Sequence, residues 1–143
     1  MSDLHALIRL HKWKLDEKRR ALAELRALAD RLDDERSRLD DEIAREQDVV
    51  RSSAEIGFSY AGFARAAIER RRRLEQSSEQ VSRQIATATE AVREAFQELK
   101  RFELAQEGRD QRERLRVHRK ARVELDEIAV TAFVRRQRDA NER

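Results

Sequence analysis

The sequence predicts an all-α protein: an antiparallel two-helix coiled-coil hairpin whose longer second helix overhangs the N-terminus. Three observations predict it. Proline is absent and the 143 residues include only three glycines, so little interrupts a long helix. Charged residues make up 43% of the chain, where about 25% is usual in globular domains. In two long segments apolar residues recur with a 3.5-residue period, which places them on one side of each helix.

The composition also limits the interior and the cellular context. Hydrophobic residues make up 39% of the chain and many of them are alanine, so the bulky side chains can fill a thin interface between two helices but no thick core. Cysteine is absent, which excludes a disulfide and a thiolate metal site. No apolar run approaches the ~20 residues that span a bilayer, and the N-terminal residues lack the apolar core of a signal peptide. We therefore expect a soluble, cytoplasmic protein without membrane insertion.

The first helix is predicted for residues 3–52. Ser2 or Asp3 can accept hydrogen bonds from the first free backbone N–H groups as an N-cap. Steps of four and three residues from Leu4 give fourteen core positions, ten of them apolar. These positions are Leu4, Ile8, His11, Leu15, Lys18, Leu22, Leu25, Ala29, Leu32, Arg36, Leu39, Ile43, Glu46 and Val50.

A turn is predicted at 53–62. The stretch around it, 52–63, holds two glycines, three serines and three of the chain's seven aromatic residues, and Gly and Ser commonly interrupt helices. The side chains of Phe58, Tyr60 and Phe63 have two interpretations. They close the turn by packing within it, or they anchor a partner protein, since aromatic residues often dominate the binding energy of an interface. The sequence leaves both open.

The second helix is predicted for residues 63–138. From Leu74 to Phe102 the same spacing gives nine core positions, eight of them apolar. These positions are Leu74, Ser78, Val81, Ile85, Ala88, Val92, Ala95, Leu99 and Phe102. Beyond Phe102 the spacing becomes irregular, but one apolar helical face returns further along. That face consists of Leu125, Ile128, Ala129, Ala132 and Phe133.

Charge predicts how the two helices align. Two long helices joined by a short break most simply fold back as an antiparallel pair. With the bend centred near Ile56, the acidic residues 40–42 lie across from the arginines 70–73, which is the strongest charge match in the chain. Complementary flanking charges set the orientation of coiled coils, although each exposed pair contributes only about 0–1 kcal/mol. In this register Leu4 lies opposite roughly residue 109.

The last 34 residues therefore have no predicted partner within the chain. They include the stretch 109–122, with seven Lys or Arg and two acidic residues, and the apolar face that ends at Phe133. A helix that packs on nothing is marginally stable, so this segment is predicted to be a docking surface. The phosphates of a nucleic acid could bind the basic stretch. A protein partner is favoured, because the net charge is only +3 and the stretch holds no aromatic residue for base stacking.

Nothing in the sequence indicates catalysis, a metal or a cofactor. It has no glycine-rich phosphate loop, no Gly-x-Ser-x-Gly motif and no Glu-x-x-His of a di-iron bundle. The acidic clusters 33–35 and 40–42 could bind a cation, but pairing of the second cluster with 70–73 is favoured. His11 lies at a core position, where a polar residue more often sets register than binds metal. We therefore expect a protein that is not an enzyme.

Several segments, spread over nearly the whole length, resemble one known family. They are LHALIRLHK at 4–12 with DEKR at 16–19, FSYAGF at 58–63, EAFQELK at 94–100, and ELDEI at 124–128. The chain resembles FliJ, the small coiled-coil protein of the flagellar type III export apparatus, and most of all its shorter, alphaproteobacterial members. The length and the position of the turn are also similar.

The resemblance implies a role in flagellum biogenesis and motility without enzymatic activity. FliJ-like proteins are antiparallel coiled coils similar to the stalk of rotary ATPases. They insert into the hexameric export ATPase, contact the cytoplasmic domain of the export gate, and bind and recycle export chaperones. The expected location is the cytoplasm, at the periphery of the inner-membrane export apparatus.

The resemblance also suggests partner-binding residues. The family's gate-contacting surface falls on Phe63, Ala67, Arg70 and Leu74, of which only Phe63 keeps the family's residue type, and Arg70 replaces a small residue. For the ATPase, the resemblance favours the unpaired end of the second helix. The candidates there are Arg112, Arg116, Arg119, Leu125, Ile128 and Phe133, and the candidates at the tip are Phe58 and Tyr60.

Two other functions stay open from the sequence. The first is a structural or adaptor coiled coil with unrelated partners, which includes the stalk of a virulence-type secretion system. The second is a coiled coil associated with nucleic acid.

Overall fold

The predicted fold class is confirmed. In a computed structural model the described residues, 3–52 and 57–142, form two helices and contain no strand. Helix α1 is Asp3–Ser52 and helix α2 is Gly57–Asn141. Side chains are described for residues 4–52 and 60–142. Within these ranges no helix combines the length and the apolar character needed to cross a membrane.

The predicted turn at 53–62 is too long. Helix α2 begins at Gly57 rather than at 63, and it ends at Asn141 rather than at 138. A glycine in a helix costs about 1 kcal/mol of stability relative to alanine. Gly62 is exposed, but the side chain of its neighbour Phe63 packs against the interhelical core and offsets this cost. Tertiary packing therefore outweighs the weak local preference for a turn. The predicted centre of the bend, Ile56, lies outside the described residues.

The residue contacts divide the chain into two compact units. The first unit is Leu10–Glu98, and the second combines Met1–Arg9 with Leu99–Arg143. Each unit takes a part of both helices.

Within the unit Leu10–Glu98 the helices run antiparallel, and three ion pairs set their register. Arg71 pairs with Asp40 at 2.7 Å, Arg70 pairs with Glu42 at 3.6 Å, and Arg36 pairs with Glu75 at 3.7 Å. The residue numbers rise along one helix as they fall along the other. The predicted match between the acidic residues 40–42 and the arginines 70–73 is confirmed.

The core of this unit is the narrow interhelical interface that the spacing predicts. Leu39 is its most deeply buried side chain, 2% exposed, and it clusters with Ala67 and Leu74. The partly buried side chains of Leu32, Ile43 and Phe63 pack against this cluster. The other buried side chains of the unit, on the same two helix faces, are Leu15, Leu22 and Val81. Of the predicted core positions here, only Lys18 and Arg36 are exposed.

Among the side chains described in the other unit, burial is confined to the beginning of α1 and to a short part of α2. Leu4 and Leu99 are buried, and Ile8, Phe102 and Gln106 are partly buried. Every residue of 109–142 is exposed. The second helix is thus longer than its packed part, as predicted.

Candidate protein-binding surfaces

The largest candidate surface is the C-terminal segment of α2, residues 109–142. It is helical to Asn141, and at 1.5 Å per residue it extends for about 50 Å. Local contacts support the helix: Arg116 pairs with Glu113 at 2.7 Å, and the Thr131 hydroxyl donates to the carbonyl oxygen of Glu127 at 2.9 Å. No packing against another helix in the described part of the chain covers it. Its whole circumference is therefore open to a partner.

The first half of this segment, 109–122, is the predicted basic stretch. A side-chain hydrogen bond between Glu113 and Arg116, aided by their opposite charges, lowers the pKa of Glu113 and raises the pKa of Arg116. Both groups are therefore charged at neutral pH. Arg112 donates a hydrogen bond from Nε to the carbonyl oxygen of Gly108 at 3.2 Å, which uses one of its several N–H groups. Arginines with free N–H groups suit a partner that is rich in carboxylates.

The second half carries an apolar patch that is wider than predicted. Leu125 and Ile128 are each 66% exposed, and Phe133 is 61% exposed. Sequence reasoning followed a single helical face and so missed three further exposed apolar residues around the helix: Val123, Val130 and Val134. The segment 123–134 is rich in apolar residues, but these three valines follow no regular spacing that would predict a patch. Exposed apolar patches of this kind typically mark an interaction site.

An open groove lies at the start of the C-terminal segment, lined by His5, Gln106, Arg109 and Asp110 among others. The Gln106 amide donates to Asp110 Oδ1 at 2.9 Å, while Oε1 of Gln106 is buried and accepts no hydrogen bond from the described residues. The groove mixes charges of both signs. Among residues 3–52 and 57–142, no group of three or more His, Asp or Glu side chains is placed to hold a metal ion.

The candidate gate-contacting residues lie within the helix pairing of the first unit. Ala67 and Leu74 are buried, 5% and 7% exposed, and Phe63 packs against them. Arg70 pairs with Glu42 and keeps a side chain that is 56% exposed. While the helices stay paired, only Arg70 and part of Phe63 are accessible to another protein. The role of these four residues in partner binding stays a prediction.

The aromatic residues near the start of α2 pack together. The rings of Tyr60 and Phe63 lie 6.2 Å apart, centroid to centroid, with planes inclined by 34°. Both side chains are partly buried. This supports the interpretation that they close the hairpin, while their exposed fractions leave room for a partner contact. The side chain of Phe58 lies outside the described residues.

Among the large apolar side chains of the first unit that lie outside the core, Trp13 and Ile68 are the most exposed. Trp13 on α1 is 60% exposed, and Ile68 on α2 is 68% exposed. Neither residue lies at a predicted core position, because a single apolar residue outside the 3.5-residue spacing carries no periodic signal.

The fold and these surfaces define a two-helix coiled coil with a long, exposed helical segment. Comparison of the chain with known protein families, with curated proteins and with solved structures gave no match.

Proposed function

We propose that this protein is a non-enzymatic, stalk-like component of the flagellar type III protein export apparatus, and that it binds the hexameric export ATPase through residues 109–142. One observation carries the proposal: this helical segment is exposed along its whole length and joins a basic half to an apolar half. The resemblance of five segments of the chain to FliJ supplies the identity of the partner.

The charge and the shape of this segment suit insertion into a protein ring. A single helix is about 10–12 Å wide with its side chains, so it is narrow enough for a central channel. The cations of 109–122 can pair with carboxylates at the mouth of such a channel and steer association, which makes binding sensitive to salt. The side chains of Leu125, Ile128 and Phe133 can then be buried against apolar residues inside the ring.

Binding of the export gate and of export chaperones forms part of the same proposal. For the gate, the accessible parts are the side chain of Arg70 and the exposed edges of Tyr60 and Phe63. Such a protein works in the cytoplasm, at the periphery of the inner-membrane export apparatus.

The test is the ATP hydrolysis rate of a purified flagellar export ATPase with and without this protein. We expect the wild-type chain to bind the ATPase and to stimulate hydrolysis. The variant Arg112→Gln/Arg116→Gln/Arg119→Gln should lose most of the stimulation, and raised salt should weaken the wild-type effect. A matched control is Arg19→Gln/Arg26→Gln/Arg65→Gln, which removes the same charge from exposed arginines of the first unit.

Absence of both binding and stimulation by the wild-type chain would overturn the proposal. Equal activity of the two triple variants would show that the basic half of the segment is not the contact. A gel shift with DNA or RNA that persists at physiological salt, together with no effect on the ATPase, would favour the nucleic-acid alternative.

A further inference from the structure

We propose that the apolar half of the C-terminal segment, residues 123–138, pairs antiparallel with the same segment of a second copy and so forms a two-fold symmetric dimer. This inference goes beyond the proposed function and does not rest on it. Because the dimer contact and the ATPase contact would cover the same apolar side chains, the dimer is proposed for the protein that is not bound to the ATPase. It rests on the exposure of this segment and on the order of its charges.

Within the described residues, no other helix packs on the apolar side chains of 123–138. Ile128 and Phe133 are 66% and 61% exposed, and Val130 and Val134 are exposed as well. The small side chains of Ala129 and Ala132 lie between them on the same helix. Small residues between large ones allow two helices to approach closely, so this stretch can form a packed contact with another helix.

The charges on the two sides of the apolar stretch are opposite in sign. Three acidic residues lie on its N-terminal side and three arginines on its C-terminal side. The acidic residues are Glu124, Asp126 and Glu127, and the arginines are Arg135, Arg136 and Arg138. All six are exposed, and no ion pair within residues 3–52 and 57–142 engages any of their side chains.

This order makes the segment complementary to itself in one orientation only. When two copies run antiparallel and cross near Thr131, the acidic block of each lies beside the arginine block of the other. The same alignment sets Ile128 beside Phe133 of the other copy. A parallel pairing would place acidic against acidic and arginine against arginine, which is destabilising. Because the axis is two-fold, every favourable contact occurs twice.

A second copy fits this surface better than an unrelated acidic or basic partner. A partner with one sign of charge would match one block and repel the other. All three regions are matched only by a partner helix that runs in the opposite direction and carries an acidic block, an apolar stretch and a basic block in the same order. The chain itself has this order. Dimerisation would also stabilise a helix that is marginal without packing.

The test is the molecular mass in solution, measured by analytical ultracentrifugation of the full chain over a range of concentrations. The wild type should sediment as a dimer of 16.9 kDa chains at high concentration and dissociate on dilution. The variants Glu124→Lys/Asp126→Lys/Glu127→Lys and Arg135→Glu/Arg136→Glu/Arg138→Glu should each raise the dimer dissociation constant by at least about tenfold.

A mixture of the two triple variants gives a sharper test than either variant alone, because it can restore the charge pairing. Mixing the two triple variants should give heterodimers, because each supplies the block that the other lacks. A matched control, Asp33→Lys/Asp34→Lys/Glu35→Lys, makes the same charge change on α1 and should leave dimerisation unchanged. Circular dichroism of each variant checks that the helices remain folded.

Spin labels report the orientation, since the chain has no cysteine of its own. A label on Lys120→Cys should give an inter-label distance of about 33 Å in the antiparallel dimer, against roughly 10–20 Å in a parallel one. A monomer at every concentration, or a dimer that both charge variants and the control leave equally stable, would overturn the proposal. A short label distance would overturn the antiparallel arrangement.

Discussion

Leu39 is the residue on which the packing of the helix pair depends most. It is 2% exposed and contacts the cluster that contains Ala67 and Leu74. A thin two-helix interface offers few neighbours that can move into a cavity, so the loss of a buried side chain is poorly compensated. The exposed leucines of the same chain, such as Leu104, lack this role.

We expect Leu39→Ala to lower the free energy of unfolding by about 2–5 kcal/mol, because it removes buried methyl groups and leaves a cavity. Urea denaturation followed by circular dichroism measures this change. Leu104→Ala is the matched control, since its side chain is 64% exposed, and its effect should stay within about 0.5 kcal/mol. Similar losses for the two variants would contradict the assigned core.

Along the helices, the pairing of α1 with α2 in the first unit combines an apolar interface with flanking ion pairs. The ion pairs of Arg70 and Arg71 with Glu42 and Asp40 lie on the surface, with side chains about half exposed. Such pairs contribute little to stability, about 0–1 kcal/mol each. Their role is to disfavour a shifted or parallel alignment, in which like charges would meet.

A charge exchange tests this role. Asp40→Arg/Glu42→Arg should lower the free energy of unfolding by about 1–2 kcal/mol, since two attractions become repulsions. Adding Arg70→Glu/Arg71→Glu to that variant should recover most of the loss. Thermal unfolding at low salt measures both effects. As a control, Asp33→Arg/Asp34→Arg makes the same charge change away from these ion pairs, and no recovery in the combined variant would refute the register.

On the scale of the whole molecule, burial is distributed unevenly along the chain. Both helices contribute buried leucines, yet none of the residues 109–142 is buried. A segment that adds no buried apolar area adds little to folding stability. The exposed leucine, isoleucine, valine and phenylalanine side chains of this segment therefore contribute little to the stability of the folded chain.

A chain that ends after Gly108 should unfold with a free energy within about 1 kcal/mol of the wild type, because the residues described beyond it, 109–142, are all exposed. Denaturation at low protein concentration measures this, since self-association adds stability that depends on concentration. Under the proposed function, the same truncation should abolish stimulation of the export ATPase. A loss above roughly 2 kcal/mol would show that the segment packs on the rest of the protein.

Much of the fold could be predicted because it depends on spacing. The interval of four and three residues located the core positions from Leu4 to Val50 and from Leu74 to Phe102. The charge blocks at 40–42 and 70–73 located the register. The candidate binding surface at 109–142 was predicted because the first helix is too short to pair with this part of the second helix. What periodicity could not reveal was the full width of the apolar patch, because Val123, Val130 and Val134 follow no single face.

By itself, the sequence determined that this protein is helical, which face of each helix is buried and how the two faces align. These properties depend on the periodicity of the apolar residues and on the order of the charges, and both can be read directly from the sequence. Only the tertiary structure decided that 57–62 are helical and that Phe63 and Ala67 belong to the core beside Leu39. Their local preferences favour a turn or are neutral, and packing against the other helix outweighs them.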